Sequence, residues 1–76
     1  MTGYYERIIA ILEPKIGRFM AVSVIRIKCG KLRIKPEKIT RENLPAIADE
    51  LFEPLTVFAG IEFARVLTNK IRAIEA

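Results

Sequence analysis

The chain has no histidine, no tryptophan and no glutamine, and Cys29 is the lone cysteine among 76 residues. Each absence removes a class of chemistry. With one cysteine, no disulfide forms within the chain. With no imidazole, a lone thiolate cannot fill the tetrahedral shell of a structural zinc ion. The usual base that activates a Ser or Cys nucleophile is missing too. The four glycines are isolated, so no phosphate-cradling loop is present. The longest purely apolar run, residues 8–12, is far short of the ~20 residues that span a bilayer. No catalytic, cofactor-binding or metal-ligating residue is therefore assigned, no membrane partner is expected, and the chain is not expected to be an enzyme.

What the chain does have is apolar content: 51% of its residues are hydrophobic. A length of 76 residues implies one domain over residues 1–76. So small a domain buries only about 60% of the surface its unfolded chain exposes. It needs a staple, and with disulfide and zinc removed the remaining one is a partner chain. A self-associating apolar face accounts for the surplus, so a homodimer is expected. Ile, Lys, Arg and Glu are abundant and Asn occurs twice, a composition typical of proteins from hot habitats. The opening residues Tyr4-Tyr5-Glu6-Arg7 place charges where a signal peptide needs an apolar core, so a cytoplasmic protein is expected. The net charge of +4 is uneven. Seven basic residues and one acid fall between Arg26 and Arg41, leaving six basic and eight acidic residues elsewhere.

The periodicity predicts an all-α, compact bundle of about four helices. Tyr5, Ile8, Ile9 and Leu12 share the face of a first helix over residues 4–12, with Thr2 as its cap. Pro14 is expected to end that helix at Glu13 and to open the next. The segment 15–34 reads two ways. As a helix it carries one stripe of Ile16, Phe19, Met20, Ser23, Val24 and Ile27, and a second of Val22, Ile25, Cys29 and Leu32. As strands it makes a hairpin over residues 22–34, turning at Cys29-Gly30-Lys31, which would give an α+β fold. A connector follows, with Pro36 as anchor and Thr40 or Asn43 as cap. Leu44, Ile47, Leu51, Leu55 and Phe58 keep one phase through Pro54, which predicts a single kinked helix ended by Gly60. Ile61, Ala64, Leu67, Ile71 and Ile74 form the stripe of a last helix. Glu13-Pro14 before Phe19 and Glu53-Pro54 before Phe58 give a faint internal echo.

Three stretches, Glu13-Pro14-Lys15-Ile16-Gly17, Lys31-Leu32-Arg33-Ile34-Lys35-Pro36-Glu37-Lys38-Ile39-Thr40 and Asn43-Leu44-Pro45-Ala46-Ile47-Ala48-Asp49-Glu50-Leu51, resemble a class of small helical domains in archaeal and bacterial proteins of uncharacterised function. Those domains show a Pro-x-x-Gly helix start, a Leu-x-Ile-x-Pro-Glu-x-Leu-Thr connector and an Asp-Leu-Pro helix, and in some chains they accompany signalling modules. The resemblance implies a helix for the central segment. It carries no catalytic or binding residue, and the chain departs from it at Gly60-Ile61-Glu62-Phe63.

Candidate functional residues divide by chemistry. Cys29 lacks a base and reads as a packed thiol. Ser23 lies on an apolar stripe and reads as a helix-contact residue. Asp49 and Glu53, four apart, share a helix face and can hold Mg²⁺ or Ca²⁺, but solvated or salt-bridged carboxylates are far commoner. Lys28, Lys31, Arg33, Lys35, Lys38 and Arg41 are the candidate polyanion-binding set, with no aromatic between Arg26 and Arg41 to stack a base. Phe63 and Val66 lie off the last helix's stripe and are the candidate interface residues. The expected function is a non-enzymatic helical interaction and oligomerisation module, open to a protein partner. The alternative is a nucleic-acid-binding accessory protein using segment 26–41.

Overall fold

Two glycines set the course of the chain. In the computed structural model, which describes residues 3–74, Gly17 has φ 81° and ψ 159° and Gly60 has φ 89° and ψ 158°. This pairing of a positive φ with an extended ψ is essentially closed to residues with a Cβ. Each glycine turns a helical path sharply, and each is followed four residues on by a fully buried alanine, Ala21 and Ala64. A small residue one turn after the corner lets the new helix lie close to its neighbour.

The helices are α1 (Tyr4–Lys31), α2 (Leu44–Ala59) and α3 (Ile61–Arg72). The expected count of about four is thus corrected to three among the described residues. Pro14 does not end the first helix. Its φ is helical, and helix continues through it to the break at Gly17. The one non-helical residue in α1 is Gly17, three residues after the proline. The cap expected of Thr2 lies outside the described residues, and Gly3 occupies the cap position.

The hairpin alternative over residues 22–34 is not what forms: there is no strand among the described residues, and helix runs to Lys31. Burial explains the choice. Ala21, Val24, Ile25 and Cys29 are the buried positions, spaced by three and four. The helix then closes in a Schellman cap. Arg33 N–H donates to the Gly30 carbonyl (3.1 Å) and Ile34 N–H to the Cys29 carbonyl (2.8 Å). Arg33 takes the left-handed position, φ 60°, that glycine usually fills.

Short 3₁₀ turns at Pro36–Lys38 and Arg41–Asn43 lead into α2. Thr40 N–H donates to Asn43 Oδ1 (2.9 Å), so the two expected cap residues act on each other. α2 passes through Pro54 as a single helix and ends at Gly60. Thr68, buried on α3, satisfies its hydroxyl on the Ala64 carbonyl at 2.8 Å. The core joins Ile8, Ile9 and Leu12 of α1 to Leu44, Leu51 and Leu55 of α2 and Leu67 and Ile71 of α3. Asp49 accepts from Arg72, tying α2 to α3 on the surface.

Candidate interaction surface

Seven large apolar side chains among the described residues stay exposed, and two of them, Ile27 and Phe58, line one groove between α1 and α2. Phe19 (81% exposed) and Ile27 (66%) project from the second half of α1; Val57 (77%) and Phe58 (48%) project from the end of α2. Between the two helices runs an open groove of about 290 Å³, floored by Val24 and walled by Met20, Ser23, Ile27, Pro54 and Phe58. Lys28 closes one end. Monomers rarely leave a contiguous apolar patch of this kind without a use for it.

The groove was not legible as a surface. Phe19, Met20, Val24 and Ile27 fall on one stripe of α1 beyond Gly17, but the core takes the neighbouring face of Ala21, Val24, Ile25 and Cys29, which leaves Phe19 and Ile27 outside. Phe58 belongs to the α2 stripe by spacing, but it is 48% exposed and forms a wall of the groove across from Met20. Ser23 lines the groove, beside the apolar wall residues.

The candidate polyanion set is split by the fold. Lys28 Nζ lies 3.9 Å and Lys31 Nζ 3.2 Å from Glu50 Oε1, across the α1–α2 junction. Glu50 is half-buried, so its charge is well used there. Arg33, Lys35, Lys38 and Arg41 are exposed along the connector and, among the described residues, have no ion-pair partner. Of the acidic residues, Asp49 faces Arg72 and Glu50 faces the lysines, while Glu53 is exposed without a partner among the described residues. Phe63 (46% exposed) and Val66 (48%) project from α3. The Phe63 ring carries the Lys15 ammonium over its face, 3.4 Å from the centroid.

Cys29 is fully buried, and its burial pushes the thiol above its ordinary pKa. The folded thiol therefore stays protonated where the unfolded one ionises. Stability from this group is complete below the ordinary thiol value and falls as pH rises past it. A thiol reagent added to the native protein should react only through opened chains, slowed relative to a free thiol by the same opening equilibrium that hydrogen exchange reports at buried amides. Reaction at the speed of a free thiol would mean that α1 opens locally around residue 29.

No protein-family model matches the chain, and no match is found among curated proteins or solved structures.

Proposed function

We propose that the chain is a non-enzymatic helical interaction module that pairs with a second copy of itself through the α1–α2 groove. The observation that supports this is the apolar groove, where exposed Ile27 and Phe58 stand beside Met20 and Val24, with exposed Phe19 and Val57 on the same two helices. Covering one such side chain is favourable by roughly 1.5–3 kcal/mol, and a two-fold pair covers each of them twice. The resemblance to small helical domains that accompany signalling modules agrees with a binding role. The alternative reading, a nucleic-acid-binding accessory, has the exposed cations Arg33, Lys35, Lys38 and Arg41 of the connector in its favour. It has no aromatic among them, and it leaves the groove without a purpose.

Sedimentation and thermal melting at several concentrations test the proposal. The protein should sediment as a dimer at micromolar concentration, with a melting temperature that rises with concentration. A monomer at high micromolar concentration overturns the reading.

A further inference from the structure

We infer that the second copy lies with its two-fold axis running along the groove, so that Arg26 of each chain meets the partner's Glu53. This deepens the self-association proposed above and rests on it. The argument is one of register. Along the groove α1 and α2 run in opposite directions. Lys28 and Lys31 meet Glu50 at one end, while Met20 and Phe58 line the other. Both helices rise 1.5 Å per residue. Arg26 is therefore nearly level with Glu53, and Phe19 nearly level with Phe58.

The two outer edges of this face differ in charge. Phe19 and Arg26 are seven apart, on the side of α1 away from α2, and both are exposed. Glu53 and Val57 are four apart on α2, and both are exposed. Among the described residues neither Arg26 nor Glu53 has an ion-pair partner. In a two-fold pair whose axis follows the groove, the α1 edge of one chain lies against the α2 edge of the other at the same level. Arg26 then faces the partner's Glu53, and Phe19 packs beside the partner's Val57. An axis across the groove does the reverse: it sets Arg26 edge against Arg26 edge and Glu53 edge against Glu53 edge. Either axis leaves neighbouring helices antiparallel, as in an up-and-down four-helix bundle, so the charges decide between them.

Charge reversal reads the register directly. R26E alone places two Glu–Glu contacts in the homodimer, and E53R alone places two Arg–Arg contacts. Each variant should dimerise roughly tenfold or more weakly than the parent. Mixed in equal amounts, the two should pair with each other, because the hetero-pair carries two restored Arg–Glu contacts. Native mass spectrometry resolves that species by mass. Both positions are exposed and unpaired among the described residues, so the folds should be unaffected, and circular dichroism checks this. Single variants that dimerise as tightly as the parent, or a mixture that forms no excess of hetero-pair, overturn the register while leaving self-association standing. A parent protein that is monomeric overturns both.

Discussion

A chain carrying Gly17→Ala together with Gly60→Ala should lose about 1–4 kcal/mol of folding stability, a large share of the whole. A domain of this length is stable by about 4–11 kcal/mol at the usual 0.05–0.15 kcal/mol per residue. The two positions adopt φ 81°, ψ 159° and φ 89°, ψ 158°, a region that costs a residue with a Cβ about 1–3 kcal/mol. Alanine at either site also stiffens the unfolded chain, which returns about 0.4–1 kcal/mol per site. The added methyl meets nothing within 4 Å at either position, so the penalty is one of backbone conformation and not of crowding. The sites lie at separate corners, so their costs should add. A shift of the denaturant midpoint at constant slope measures the loss. A chemically synthesised chain with D-alanine at residue 60 supplies the control, since its allowed region is the mirror image and should keep the parent's stability. Equal losses for the L and D forms would show that the corner is held by something other than its dihedral angles.

The same two corners divide what could be read in the sequence from what could not. The α2–α3 half was legible because its signals agree. The Leu44–Leu55 spacing holds one phase, Gly60 follows it, and Ala64, Leu67 and Ile71 resume the pattern in a new helix. In the α1 half the signals conflict. Pro14 announces a boundary that falls at Gly17. Beyond it two apolar stripes compete for one core, and Phe19 and Ile27, on the stripe that loses, are among the most exposed apolar groups of the described residues. The Arg33 cap was hidden for a related reason: arginine is an uncommon tenant of the left-handed position, and Gly30, the residue that suggests a turn, lies inside the helix. The basic segment could be seen as a run of charge, but not its division by Glu50. That division depends on α1 and α2 lying side by side, a contact between residues about twenty apart with no local trace.

Ile27→Asp should leave the monomer's fold untouched and abolish its pairing. Ile27 is 66% exposed, so its side chain contributes little to the monomer core, and surface changes of this kind usually alter stability by less than about 0.5 kcal/mol. In the proposed dimer the same side chain is covered by the partner, and the two-fold repeats the contact. At roughly 1.5–3 kcal/mol per buried side chain, the pair stands to lose about 3–6 kcal/mol. That raises the dimer dissociation constant by roughly 10²- to 10⁴-fold. The aspartate adds the cost of burying an unpaired carboxylate, which works in the same direction. The variant should sediment as a monomer with the parent's helical spectrum, and its melting temperature should no longer depend on concentration. Val66→Asp on α3 is the matching comparison. Val66 is also half exposed, but it lies on a face that the groove does not include. If Val66→Asp yields the monomer while Ile27→Asp still dimerises, the chains meet through α3, and the groove between α1 and α2 is left for a different helix.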